Sequence, residues 1–93
     1  DRLRALRVQF ESDLATWRSA KRQWERAHDE LLPLARQRVE LETASFAAGN
    51  ADLIDVIAAK ADLALLDLEI FEREAATVEW AEMLRLTYGE QQP

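Results

Sequence analysis

Apolar residues recur along the first half of the chain at a fixed interval. Leu3, Phe10, Trp17, Trp24 and Leu31 stand seven residues apart. Leu6, Ala20, Ala27, Leu34 and Leu41 fall on the companion positions, with Asp13 the one polar break. This spacing places both sets on one stripe of an α-helix, the a and d positions of a heptad. It predicts a helix from about Leu3 to Ala48, roughly 70 Å long at 1.5 Å per residue. Pro33 interrupts the pattern. It lacks an amide N–H and its ring crowds the carbonyl of Asp29, so a kink is expected near residue 33.

The second half repeats the pattern. Ile57, Ala61, Ala64, Leu68, Phe71, Ala75 and Val78 alternate in steps of four and three and read as an unbroken seam. Leu63, Leu66, Ile70, Trp80 and Leu84 form a second apolar set off that seam. A helix is therefore expected from about Asp52–Leu53 to Tyr88, apolar on two faces and needing partners on both. Between the halves, Gly49 can take the left-handed conformation that ends a helix. Asp52 is placed to cap the next helix, and Asp55 falls in its first turn, where the helix dipole favours a negative charge.

The fold class follows: all-α, one domain over residues 1–93, a long antiparallel two-helix coiled-coil hairpin with its turn near Gly49–Ala51. Facing residues should have numbers summing to roughly 100 in such a hairpin. Trp24 would then meet Ala75 and Val78, and Leu31 would meet Leu68 and Phe71. The same rule sets Arg18 near Glu82, Arg22 near Glu79, Arg26 near Glu74 and Glu40 near Lys60. Each exposed pair is worth about 0.2–1 kcal/mol, enough to favour a register but not to hold the fold. The spare apolar face predicts self-association of the isolated chain, most simply as an antiparallel four-helix dimer.

Composition narrows the function. Two Gly, two Pro and no Cys among 93 residues leave little room for turns and none for a disulfide framework or a thiolate metal site. No run of about 18 apolar residues is present to span a bilayer as a helix. The net charge is −6, and it is uneven: residues 1–48 hold nine Lys/Arg and eight Asp/Glu, residues 49–93 three and ten. That balance argues against nucleic acid and against an anionic membrane surface. The chain opens on Asp1-Arg2-Leu3-Arg4, already in helical pattern and without an initiator Met, and is expected to be a piece of a longer protein.

Candidate chemistry is sparse. Phe10, Trp17 and Trp24 could form a ligand-binding aromatic row, but heptad spacing reads first as seam packing. His28 is the only histidine. Glu25 and Asp29 could lend it oxygens, yet a solvated helix face explains all three. Asp52 and Asp55 resemble a paired-carboxylate site, and a cap plus a dipole partner accounts for them. Asp67, Glu69, Glu72, Glu74, Glu79 and Glu82 read as a solvated face with interhelical pairs. Nucleophile, base and orienting group do not occur together, and no Gly-rich phosphate loop is present, so no enzyme and no cofactor is expected.

The turn segment resembles outer-membrane efflux proteins of the TolC-like family. Their pattern of an aromatic residue, a Gly, an Asp/Ser/Thr and then Asp-Val-Leu-x-Ala matches Phe46, Gly49, Asp52, Leu53, Ile54, Asp55, Val56, Ile57 and Ala59. Leu31-Leu32-Pro33-Leu34-Ala35 is similar to the Leu-Leu-Pro-x-Ala element of many members, including those of heavy-metal efflux systems. Leu84 and Tyr88-Gly89 are similar to the usual ending of the repeat. The resemblance covers nearly the whole chain.

The resemblance implies a periplasmic hairpin of a trimeric channel, located in the cell outer membrane through a β-barrel part that is absent here. Gly49, Asn50, Ala51 and Asp52 would be the tip that docks a periplasmic adaptor and an inner-membrane pump. Asp55 matches an acidic position at the pore entrance of some members. Ala58 stands where those members carry a second Asp, a departure that weakens an acidic gate. Phe10, Trp17, Trp24, Leu31, Leu68, Phe71 and Val78 would form the helix–helix seam. Two alternatives stand beside this reading. One is a periplasmic adaptor hairpin, loosely imitated by Arg38, Leu41 and Ser45. The other is a self-standing helical bundle acting as scaffold or regulator.

Overall fold

The computed structural model describes residues 1–89. Helix α1 spans Arg2–Arg26, a π-helical turn spans Ala27–Leu31, α2 spans Leu32–Ala47 and α3 spans Leu53–Tyr88. The described residues therefore form a helical hairpin, two long helical arms joined by one short reversal. Asp1 starts α1: its carboxylate accepts the Arg4 N–H at 2.8 Å and its carbonyl accepts the Ala5 N–H at 3.1 Å. The first bond satisfies a donor that a first turn leaves open, and the second is the first rung of the helix's own ladder.

Just before Pro33, where the sequence leads one to expect a kink, the helix widens into the π turn. Pro33 directly follows the π turn, inside a helical arm whose backbone stays in the right-handed helical region at Arg26, Leu31 and Leu32. The Leu32 N–H, immediately before it, reaches back to the Ala27 carbonyl. The chain thus carries one extra residue in this turn.

The chain divides into two compact units. In the first, Asp1–Trp24 packs with the part of α3 from Arg73 onward. Leu6, Phe10, Asp13, Leu14, Trp17, Ala20 and Trp24 are half-buried on α1, opposite half-buried Thr77 and Trp80 and buried Leu84 and Tyr88. In the second, Glu25–Glu72, the inward residues are Ala27, Leu32, Ala35, Val39 and Glu42 from the first arm and Val56, Ala59, Leu63, Leu66 and Ile70 from α3.

Two expectations are corrected here. On α3 the predicted seam is turned outward: Ile57, Ala61, Ala64, Leu68, Phe71, Ala75 and Val78 are all exposed. The set that seemed to lie off the seam is the one that packs inside. Its bulky Leu63, Leu66, Ile70, Trp80 and Leu84 remove more apolar surface from water than the alanine-rich stripe would. On the first arm Leu3 of the predicted stripe is exposed, the stripe holds from Leu6 to Ala27, and it then slips by one residue. Leu31, Leu34 and Leu41 are exposed, and Leu32, Ala35 and Val39 take their place. The expected meetings of Trp24 with Val78 and of Leu31 with Leu68 and Phe71 are replaced accordingly.

The pairing rule survives with different partners. Arg38 donates to Asp62 at 2.6 Å in the second unit, and Arg73 donates to Gln23 at 2.7 Å in the first. Of the expected ion pairs, Glu82 is engaged by Arg85 of its own helix and Arg26 by Glu30 at 3.7 Å. Neighbours on one helix meet without the ordering that a cross-helix pair of long side chains requires, so the local partners win.

Candidate functional site, the hairpin tip and the outer face of α3

The tip is built by backbone bonds. Ala48 closes α2, with its N–H donating to the Ala44 carbonyl at 3.0 Å. Gly49 follows at φ +79, in the left-handed region. Its N–H donates to the Phe46 carbonyl at 3.0 Å, and the Asn50 N–H donates to the Ser45 carbonyl at 2.8 Å. This pair of bonds is a Schellman motif, which satisfies the last carbonyls of α2 and turns the chain. The Gly49 requirement is conformational: a Cβ there would meet nothing within 4 Å, but it would strain the backbone.

The start of α3 differs in one detail from expectation. The Asp55 carboxylate reaches back and accepts the Asp52 N–H at 3.2 Å, while the Asp55 N–H donates to the Asp52 carbonyl at 3.0 Å. The observed side-chain contact is thus the returning arm of a capping box, made by Asp55. Gly49, Asn50, Asp52 and Asp55 are exposed and Ala51 is half-buried, so the tip presents two carboxylates to solvent.

The outer face of α3 is the larger surface. Leu53, Ile54, Ile57, Leu65, Leu68, Phe71 and Val78 are each more than half exposed, Ile54 at 75%. Of the residues expected to make the helix–helix seam, Phe10, Trp17 and Trp24 are inside the first unit, whereas Leu31, Leu68, Phe71 and Val78 stand on outer faces.

Sequence reading missed a cluster in the first unit. The Tyr88 hydroxyl donates to Asp13 Oδ2 at 2.7 Å, and the Tyr88 ring meets Phe10 edge-on, centroids 4.8 Å apart. Asp13, the polar break in the heptad, is therefore the acceptor for a buried phenol. Donating to that carboxylate raises the Tyr88 pKa above its ordinary value, aided by desolvation and the Asp13 charge. The pairing rule contained the signal, since 13 and 88 sum close to 100.

Elsewhere the chemistry is simple. His28 Nδ1 lies 2.8 Å from Asp29 Oδ1 on an exposed face. Among the described residues no group of three His, Cys, Asp or Glu is placed to hold a metal ion. No helix there is long and apolar enough to cross a membrane. Comparison with protein-family models, curated proteins and solved structures finds no match to this chain.

Proposed function

We propose that this chain is the periplasmic hairpin of a TolC-like outer-membrane efflux channel. Its two helices would run as an antiparallel coiled coil and form part of a duct wall built from three copies. The carrying observation is the pair of opposed apolar stripes on α3. One packs inside the hairpin, while Ile57, Leu68, Phe71 and Val78 on the other are exposed. A wall helix needs this arrangement because it has a neighbour on each side. The order of the tip, Leu-Leu-Pro and Tyr-Gly elements supports the same reading.

The mechanism is passive. The hairpin contributes wall, and Gly49, Asn50, Ala51 and Asp52 contact the adaptor protein that links the duct to an inner-membrane pump. Asp55 would lie close to the entrance. No catalytic step and no cofactor is assigned. In the isolated chain the exposed stripe would drive association of copies, seen as a dimer or larger species in sedimentation.

The test is the size and location of the native gene product, read with an antibody to this segment on fractionated cells. A band several times larger than 10.7 kDa in the outer-membrane fraction is the expected result. A soluble band near 10.7 kDa would refute the proposal and leave a self-standing helical bundle as the function.

A further inference from the structure

We propose that α2 is a two-register element. Converting the π turn to α-helix would rotate α2 by one residue step about its axis and exchange one apolar stripe for another against α3. The inference goes beyond the efflux reading and does not depend on it.

The inward stripes of α1 and α2 are out of phase. The inward stripe of α1 runs through Phe10, Asp13, Trp17, Ala20 and Trp24 and reaches buried Ala27. Continued as plain α-helix, it would next turn Leu31, Leu34, Arg38 and Leu41 inward. The structure turns Leu32, Ala35, Val39 and Glu42 inward instead. One residue of slip corresponds to a rotation of about 100°. The π turn at Ala27–Leu31 supplies that residue.

Both registers satisfy the hairpin. An ordinary amphipathic helix shifted by one residue would carry polar side chains into its seam. Here each stripe is apolar at three of four places, with one ionisable residue apiece: Glu42 in the observed register and Arg38 in the other. The unused stripe is the bulkier, three leucines against Leu, Ala and Val, which favours the straight helix by apolar burial. Pro33 opposes it. In a straight helix Pro33 offers no N–H to the Asp29 carbonyl and its ring crowds that carbonyl. In the π form the Leu32 N–H finds the Ala27 carbonyl. Opposed terms of similar size are what a two-state element requires, and helix rotations of this kind occur in known switches.

Thiol accessibility tests it, because the described chain has no native cysteine. Single-cysteine variants Leu34→Cys and Ala35→Cys of the 93-residue chain are labelled with a maleimide, with helix content checked by circular dichroism. In the parent, Leu34→Cys is expected to react about tenfold faster than Ala35→Cys. Adding Pro33→Ala is expected to bring that ratio to about one or below it, as the straight register gains population. Deleting Glu30 as well removes the extra residue and is expected to restore the parental ratio. A ratio unchanged by Pro33→Ala would overturn the proposal, as would a Glu30 deletion that fails to restore it. Labelling that slows as protein concentration rises would assign the protection to a second copy and also overturn it. Neither result bears on the size or location of the native protein, so this test and that of the efflux reading fail separately.

Discussion

In the first unit the seam is aromatic. Phe10, Trp17 and Trp24 from α1 work against Trp80 and Tyr88 from α3, and the Asp13–Tyr88 hydrogen bond ties the two helices at one point. In the second unit the seam is aliphatic. Ala27, Leu32, Ala35 and Val39 lie inward with Val56, Ala59, Leu63, Leu66 and Ile70, and the cross-helix tie is the exposed Arg38–Asp62 pair. Large flat rings fit in one arrangement, and a half-buried carboxylate needs its donor in one place. Aliphatic side chains, without rings, accept more arrangements. The slip of register occurs in the permissive unit, which ties the amount of side-chain shape in a seam to how firmly a helix is held in phase.

Four substitutions or conditions would break or sharpen that contrast, each measured by urea unfolding at fixed protein concentration. The largest effect is expected from Trp17→Ala, about 3 kcal/mol, because the aromatic seam fails by truncation. Amide exchange should rise along α1 before it rises in α2. Equal exposure in both would deny that the two units have separate seams. Next comes Ala59→Leu, about 2 kcal/mol, because the aliphatic seam fails by overpacking; Ala59 is 1% exposed. A neutral result there would mean that the second unit is looser than its burial indicates.

Gly49→Ala is expected to cost about 1 kcal/mol, through the positive φ alone. A much larger loss would point to a contact at the tip that the structure does not contain. The smallest effect is a pH dependence confined to the first unit. The folded pKa of Tyr88 is raised, so the phenol's contribution is complete below its ordinary value of 10.0 and is lost as pH rises through the folded value. Tyr88→Phe should lower stability below pH 10 and flatten this alkaline limb. An unchanged limb in Tyr88→Phe would assign it to other groups.

The hairpin, its turn and the ends of α3 could be read from spacing alone. Gly49 could be placed because left-handed backbone and helix termination coincide there. The choice of face on α3 could not, because both stripes repeat in heptads. The inward stripe looked broken in sequence by Arg73 and Thr77. In the structure Arg73 reaches Gln23, and the Thr77 hydroxyl donates to the Arg73 carbonyl at 2.8 Å, so neither polar residue disturbs the seam. Locally satisfied polar groups cost little in a seam, and a pattern of hydrophobic letters does not record that.

The stripe on α2 failed for another reason. Leu31, Leu34 and Leu41 continue the heptad in sequence, and only the inserted turn removes them from the seam. Pro33 gave notice of a disturbance. Its ring and missing N–H mark where the helix is disturbed and do not by themselves fix an inserted residue. At the tip, spacing pointed to Asp52 as the capping carboxylate, and the bond observed is made by Asp55. Which carboxylate made the capping bond depended on a side-chain conformation that spacing does not fix.

The opposed stripes of α3 have a consequence for how this sequence can change over time. A substitution at Leu63 or Ile70 acts on the integrity of the hairpin itself. One at Ile57 or Phe71 leaves that integrity nearly untouched and acts on whatever lies against the hairpin from outside. Folding and fellowship are thereby written on separate letters of one helix. Either can drift, or be selected, without dragging the other along.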